Sequence, residues 1–236
     1  MTSILGIDTA TRYATVAVTT SDKPTGPVIG GTWFSKHNHG VELLEKVNGF
    51  LDEAGVAISD LTHIAVVTGP GSFSALRVGL ATAQGMALAR DIQLLSIPTF
   101  EVEIEPWAGH DGPICAVVDA GSTGVAWGLY SQAVGGRKLE LNALDSIEDC
   151  VAACPDATVF CGESARKFSD LVEPERILSD SAPTRSANSL IRVALQKLAT
   201  GEAKDPSKVE ITYARPPTTT TPTERLPDGS RPQKAR

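Results

Sequence analysis

The alternation of strand-like and helix-like hydrophobic patterns constrains the fold of this chain more than any other feature of its sequence. Apolar segments with strand character occur at 4–8, 13–19, 28–35, 64–68 and 94–97. Apolar residues recur at three- and four-residue steps over 41–54, and a second helix is predicted over 73–90. This β-β-β-α-β-α-β order indicates a sheet with a parallel part and helices packed on it.

A similar series begins after Pro113. Strands are predicted at 114–119, 125–131, 139–141 and 158–161, and helices at 147–154 and 187–200. Each half opens with a strand that ends in Asp and small residues, at Asp8 and at Asp119, which indicates duplicated α/β halves of β-β-β-α-β-α order. We expect one lobe at 1–105 and a diverged lobe at 106–215 whose last helix packs back on the first. A flexible tail rich in Pro and Thr is expected at 216–236.

Composition excludes several classes of protein. A net charge of −7 makes the chain a poor stand-alone nucleic-acid binder, because such binding depends on Lys and Arg neutralising phosphates. An aromatic content of 5% also disfavours base stacking across a surface. No run of about 18 apolar residues predicts a membrane span, and the first residues lack the basic region of a signal peptide. We therefore expect a cytoplasmic protein.

The first strand ends in a candidate phosphate-binding hairpin at Asp8, Thr9 and Thr11. In actin, hexokinase and Hsp70, a glycine in such a hairpin leaves room for phosphate oxygens against backbone N–H groups. Here Thr9 stands at the glycine position, where its Cβ and hydroxyl would crowd that approach. These residues are therefore either a vestigial nucleotide site or a structural turn in which Asp8 is hydrogen-bonded locally.

The second predicted helix follows the turn Gly69-Pro-Gly-Ser72. This turn lacks the Lys of a phosphate-binding loop and the spacing of a nucleophile elbow. Ser72 is instead predicted to cap the helix that follows.

That second helix carries small residues four apart, which permit close approach of another helix. They are Ala75, Gly79, Ala83 and Ala87. Gly79 and Gly85 each cost about 0.5–1 kcal/mol relative to Ala in a helix interior, so a packing reason is expected. The small stripe either packs against the first helix inside the lobe or docks another subunit. Leu76, Leu80 and Leu88 are expected to face the lobe's own sheet.

The sequence predicts no catalytic residue and no metal site. Its histidines (His37, His39, His63 and His110) lack metal-site spacing. Its cysteines (Cys115, Cys150, Cys154 and Cys161) lack paired C-x₂-C knuckles, which favours plain buried thiols over metal or redox chemistry. Glu101, Glu103 and Glu105 alternate, which predicts an exposed strand edge or loop.

Several segments together resemble the bacterial TsaB (YeaZ) family. They are Ile4-Leu-Gly-Ile-Asp8-Thr-Ala-Thr, His39-Gly-Val-Glu-Leu-Leu44, Gly69-Pro-Gly-Ser-Phe-Ser-Ala-Leu-Arg77-Val-Gly and Ile211-Thr-Tyr213-Ala-Arg215. The resemblance implies a two-lobed actin-like α/β fold of the ASKHA ATPase type that has lost catalysis. Three departures are Glu210 in place of Pro, Ser74-Ala75 in place of Thr-Gly, and Gly121 in place of Arg.

The resemblance also implies a function. TsaB-like proteins help to make N6-threonylcarbamoyladenosine in ANN-decoding tRNAs, and the chemistry belongs to the paralogous TsaD subunit. We therefore expect a non-catalytic subunit that binds TsaD, helps to recruit the ATPase TsaE, forms a homodimer when alone and meets tRNA only through the complex. It would need no cofactor of its own, with ATP or ADP bound only at the partner interface. Some relatives carry a glycoprotease label, but this sequence contains no set of residues typical of a protease active site.

In the family the pairing surface is built from the first two helices. The matching positions here are Val41, Leu44, Val47, Leu51, Phe73, Ala75, Arg77, Gly79, Ala83, Met86 and Ala87. The alternative function is an active actin-like ATPase or phosphotransferase. It would need Asp8 and Asp119 to hold Mg-ATP between the lobes.

Overall fold

Two β-sheets with helices packed against them form the framework of the protein. The computed structural model describes residues 2–36, 39–121, 124–179 and 181–214. The strands are β1 (Ile4–Asp8), β2 (Tyr13–Thr19), β3 (Ile29–Phe34), β4 (His63–Gly69), β5 (Gln93–Pro98), β6 (Ile114–Asp119), β7 (Val125–Ala133), β8 (Gly136–Asp145) and β9 (Val159–Cys161). The α-helices are α1 (His39–Ala54), α2 (Phe73–Arg90), α3 (Thr99–Ile104), α4 (Ile147–Ala153) and α5 (Ala187–Ala199).

The four strands of the second sheet repeat the topology of four of the five strands of the first. The first has the order β3-β2-β1-β4-β5, with β1 antiparallel to β2 and parallel to β4. The second has the order β8-β7-β6-β9, with β6 antiparallel to β7 and parallel to β9. The duplicated β-β-β-α-β-α order predicted from the sequence is therefore confirmed. The lobe limits at 105 and 215 stay predictions.

Helices cover both faces of the first sheet. On one face, Leu43, Val47 and Leu51 of α1 pack in a core with strand residues and with α2. On the other face, α5 buries Leu190 and Ile191 against β1, β2 and β5. Gly6 permits this contact, because a Cβ at that position would lie 2.9 Å from Leu190 Cδ2. The first sheet therefore obtains one of its two covering layers from the carboxyl-terminal half of the chain.

The segment after β5 differs from its prediction. Thr99–Ile104 forms α3, whereas the alternating glutamates predicted an exposed strand edge or loop. Phe100 and Ile104 pack on the second sheet, and Glu103 is buried with 1% of its surface exposed. The alternating glutamates therefore do not mark a strand. The apolar residues between them, Val102 and Ile104, lie on one short helix and pack against the first and the second sheet, respectively.

Two further predictions can be compared with the described residues. Ser72 does stand at the N-cap of α2, but its side chain makes no capping hydrogen bond, so that prediction is wrong in its mechanism. Among the described residues, no helix has the length and hydropathy that crossing a bilayer requires. The predicted tail at 216–236 lies outside the described residues.

Candidate functional site

A cleft of about 680 Å³ separates the ends of β1 and β6. Thr11, Tyr13 and Ser72 line it from the first half of the chain, and Asp119 and Glu163 line it from the second. We call it the interlobe cleft. It is the place where both Asp-containing strand ends meet, as the duplicated sequence pattern indicates.

Asp8 lies beneath this cleft, and each of its carboxylate oxygens accepts a hydrogen bond from the protein. The Ala10 N–H donates to Oδ1 at 2.8 Å, and Arg185 Nε donates to Oδ2 at 2.7 Å. The Asp8 side chain is only 1% exposed. The local bond to Ala10 is the one expected for a structural turn.

Arg185 joins Asp8 to two further carboxylates from distant parts of the chain. Its Nη1 donates to Glu103 Oε1, and its Nη2 lies 2.9 Å from Glu163 Oε1. Nη2 also donates to Thr11 Oγ1 at 2.7 Å, and Thr11 Oγ1 donates to Glu163 at 2.6 Å. We call these five residues the Arg185 cluster. Its members come from both halves of the chain, so it connects them.

Electrostatics explain why a guanidinium is stable in this buried position. Burial by itself lowers the pKa of Arg185, but Asp8, Glu103 and Glu163 outweigh that effect and raise its pKa. Burial raises the pKa of Glu103, and Arg185 opposes the shift only in part. Arg185 is therefore the positive charge that stabilises the buried carboxylates.

The hairpin residue Thr9 is also committed to the fold. Its Oγ1 donates to the Ala75 carbonyl oxygen at 2.7 Å, in the first turn of α2. A Cβ at Gly79 would lie 2.3 Å from that same Oγ1, so Gly79 makes the space that Thr9 fills. The hairpin is thereby held against α2 by a side chain where related phosphate-binding hairpins have glycine.

Asp119 differs from Asp8 in its surroundings, although sequence reasoning treats the two as equivalent. Its carboxylate is 56% exposed and lies 2.5 Å from Lys167 Nζ. The alternative ATPase function needs both aspartates to face one magnesium ion. In the structure Asp8 pairs with Arg185 and Asp119 with Lys167, an arrangement that does not favour this use.

Phe73, Arg77 and Tyr213 form a stacked rim beside the cleft. The Arg77 guanidinium lies 3.8 Å from the centre of the Phe73 ring, and Arg77 Nε donates to the Tyr213 hydroxyl at 3.2 Å. The two rings are 5.0 Å apart. His39, at the start of α1, lies nearby with Nε2 3.0 Å from the Thr11 carbonyl oxygen. The two resemblance segments around Phe73 and Tyr213 are therefore in contact.

The small stripe of α2 is buried inside this chain, together with other residues of the predicted pairing surface. Six of the eleven predicted residues are buried within this chain: Val47, Leu51, Ala75, Gly79, Ala83 and Ala87. Ala83 and Ala87 pack in one core with Leu43 of α1, as expected if the small stripe packs against the first helix inside the lobe. The burial of these side chains supports the interpretation that the stripe packs inside the lobe, and the pairing role of the eleven residues stays a prediction.

The other five predicted residues remain accessible. Val41 is 74% exposed, Leu44 51% and Phe73 43%. Arg77 is exposed and Met86 is partly buried. Leu88 was expected to face the sheet, but it is 63% exposed, because the helix turns it away from Leu76 and Leu80.

A second row of residues, which sequence reasoning missed, forms the exposed side of α2. We call it the outward face of α2; it comprises Ser74, Arg77, Ala81, Gly85 and Leu88, all exposed. A Cβ at Gly85 would meet nothing within 4 Å. The signal was present in the spacing of Ala81 and Gly85, but the sequence could not say which of the two small rows faced the sheet.

Sequence reasoning also missed Arg185 and the arrangement of the cysteines. Arg185 and Asp8 are 177 positions apart, and no local pattern connects them. Cys115, Cys150 and Cys154 lie together, whereas Cys161 is buried outside that group. His63 lies on β4 and His110 in a loop, while His37 lies outside the described residues.

Comparison with known proteins adds to this geometry. A family model described as "TsaD: tRNA N6-adenosine threonylcarbamoyltransferase" matches residues 18–218. The tRNA threonylcarbamoyladenosine biosynthesis protein TsaB of Bacillus subtilis (strain 168) is 30% identical over 128 residues, which are 54% of this chain and 55% of that protein. The chain thus spans about half the length of the curated relatives it matches.

Solved structures match over most of the chain. An uncharacterized Pseudomonas aeruginosa protein with similarity to peptidase YEAZ superposes with a TM-score of 0.78 at 25% identity, covering 91% of this chain and all of that one. YeaZ from Pseudomonas aeruginosa superposes with a TM-score of 0.75 at 25% identity, covering 90% of this chain and all of that one. Together with the duplicated sheets, these matches confirm the two-lobed actin-like α/β fold that the sequence predicts.

Proposed function

Because the chain belongs to the TsaD family and, within it, to the TsaB (YeaZ) group, we propose that it acts in tRNA threonylcarbamoyladenosine biosynthesis as a non-catalytic subunit. In this role it docks on a TsaD partner, which performs the chemistry. It helps to recruit the ATPase TsaE and contacts tRNA only through the assembled complex. The same surface forms a homodimer when the partner is absent, and the site of action is the cytoplasm.

The observation that carries this proposal is the exposed apolar surface on α1 and α2. Val41 and Leu44 are three residues apart on α1, so they lie on one side of that helix. The outward face of α2 adds Ala81 and Gly85, whose small side chains permit close approach of a partner helix, and the exposed Leu88. Exposed apolar side chains on two helices that contact one another are typical of a docking site.

The Arg185 cluster supports the non-catalytic part of the proposal. A magnesium ion bound at Asp8 would have to displace the Arg185 guanidinium, which also contacts Glu103 and Glu163. Displacing that guanidinium would break the buried ion pairs that offset the cost of burying it. We therefore assign no nucleotide or metal cofactor to Asp8, Thr9 and Thr11, and we place any ATP or ADP at the interface with the partner.

The test is size-exclusion chromatography with light scattering, on this protein alone and mixed with TsaD from the same organism. We expect a stoichiometric complex with TsaD. Two variants place a carboxylate on the proposed surface, Leu44→Glu and Gly85→Glu. Each should weaken binding at least about tenfold, equivalent to 1.4 kcal/mol, because the carboxylate would be buried without a partner. Val134→Glu is the matched control, since Val134 is fully exposed on the turn between β7 and β8.

Two outcomes would contradict the proposal. Undiminished binding by both surface variants would exclude the α1–α2 surface as the interface. If no complex forms with or without ATP and tRNA, the non-catalytic role in a TsaD complex fails. Magnesium-dependent ATP binding by the isolated chain, abolished by Asp8→Asn, would instead favour the alternative ATPase.

A further inference from the structure

Three cysteines from separate segments meet in the core beside the second sheet. Cys115 lies on β6, Cys150 on α4, and Cys154 directly follows α4. Their Sγ atoms all lie within 4.8 Å of one another, and those of Cys115 and Cys150 are 3.9 Å apart. All three are free thiols and buried. We call them the cysteine trio.

The distance between the sulfurs of Cys115 and Cys150 matches that of two thiolates sharing one ion. With a Zn–S bond of about 2.3 Å, two thiolates on one zinc lie about 3.8 Å apart in tetrahedral geometry and about 4.0 Å apart in trigonal geometry. The observed 3.9 Å between Cys115 and Cys150 falls between these values. Plain contact between thiols gives a similar distance, so the charge around the trio provides the second argument.

A positive charge that can balance thiolates lies beside the core that contains the trio. Arg176 is fixed nearby, because its Nε donates to the Thr158 carbonyl oxygen at 2.8 Å and its guanidinium lies 5.5 Å from the Phe160 ring centre. Three thiolates, one divalent cation and Arg176 sum to zero charge, which is the least costly arrangement in an apolar core.

We propose that Cys115, Cys150 and Cys154 bind one soft divalent cation of the Zn²⁺ class as three thiolates. On binding, three S–H bonds break, three metal–sulfur bonds form and three protons pass to water. Cys154 is 8% exposed at the edge of the trio, where a water molecule can complete a tetrahedral site. Thiolate ligands select such an ion over magnesium or calcium.

The ion would stabilise the second half of the chain rather than act in the interlobe cleft. It links the central strand β6 to α4, two elements whose side chains share one apolar core with Trp127 and Phe160. The inference does not depend on the proposed function, because none of the three cysteines lines the interlobe cleft or belongs to α1 or α2.

The test uses the full chain, kept reduced throughout. Protein from zinc-supplemented cells is analysed for metal by mass spectrometry, then stripped with a chelator and titrated with Cd²⁺ while thiolate-to-metal charge-transfer absorption is followed. We expect one ion per chain, absorption that saturates at one equivalent, and a higher melting temperature with Zn²⁺ than without it. Cys115→Ser and Cys154→Ser should lose the absorption at one equivalent. Cys161→Ser is the matched control, because Cys161 is buried on β9 outside the trio and should leave it unchanged.

Stripped wild-type protein that gives no charge-transfer absorption and no change in melting temperature would overturn the proposal, leaving plain packed thiols. Equal loss of Cd²⁺ binding in Cys161→Ser would overturn it as well. If Cys115→Ser fails to fold, Cys154→Ser provides the comparison at the edge of the core. The wild-type titrations decide the question without any variant.

Discussion

Arg185→Leu should be among the most destabilising single changes in this protein, because it removes the counter-charge from three carboxylates. The side chains of Asp8 and Glu103 are 1% and 0% exposed, and that of Glu163 is 13% exposed, so water cannot replace the guanidinium. Removing one partner of a buried ion pair costs about 3–5 kcal/mol. A domain of this size loses about 2–4 °C of melting temperature per kcal/mol, which predicts a drop of roughly 6–20 °C.

The assays are urea unfolding and thermal unfolding of wild type and variant, both followed by circular dichroism. Arg192→Leu is the matched control, since it removes the same kind of side chain from a pair in which the arginine is 39% and the glutamate 10% exposed. The Arg192 side chain is 39% exposed and contacts Glu105, so its loss should cost at most about 1 kcal/mol. The total free energy of unfolding of such a protein is about 5–15 kcal/mol, which leaves the variant folded enough to measure.

The loss of folding stability caused by Arg185→Leu should also depend on pH. Burial raises the pKa of Glu103, so the folded chain binds that proton more tightly than the unfolded chain. A group of this kind favours folding below the ordinary pKa range of a glutamate, and the contribution disappears as the pH rises. Without Arg185 the pKa of Glu103 should rise further. The difference in the free energy of unfolding between wild type and variant should therefore narrow as the pH falls. A loss no larger than that of Arg192→Leu, or a loss independent of pH, would refute the assigned role of Arg185.

Two other predictions follow from local contacts. Gly79→Ala should cost about 1–3 kcal/mol in unfolding experiments, because its Cβ would lie 2.3 Å from Thr9 Oγ1, whereas Gly85→Ala has open space and should gain about 0.5–1 kcal/mol of helix stability. Equal effects of the two changes would contradict the packing described for α2. Burial lowers the pKa of His63, so wild type should lose stability as the pH falls through that lowered value, and His63→Gln should lose less in the same thermal-melt series.

The strands and helices of this chain were largely predictable, because their apolar residues follow the local periods of 2 and 3.6. The helix Phe73–Arg90 and the strand Ile114–Asp119 have the predicted bounds. The exception is α3, whose six residues are too few to separate a helical period from an alternating one. Its burial is decided by Pro70, Arg185 and the second sheet, which are distant in sequence.

The candidate site was predictable only where a single segment determines it. Asp8 and Thr9 were found from their position after a strand, but their partners Arg185 and Gly79 were not, because those contacts are set by tertiary packing. The same limit applies to α2. Two rows of small residues run along it, and only the sheet beneath the helix decides that Ala83 is buried while Gly85 is exposed.

The position of α5 has a consequence for biosynthesis. The amino-terminal sheet emerges early from the ribosome, but one of its faces stays uncovered until Leu190 and Ile191 have been made. Arg185 must also arrive before the charge of Asp8 can be buried at low cost. A nascent chain that has only just completed β5 therefore carries an exposed apolar sheet, which a chaperone could bind. On this view the first sheet matures only after α5 has been made, and the two halves of the polypeptide complete their folding together.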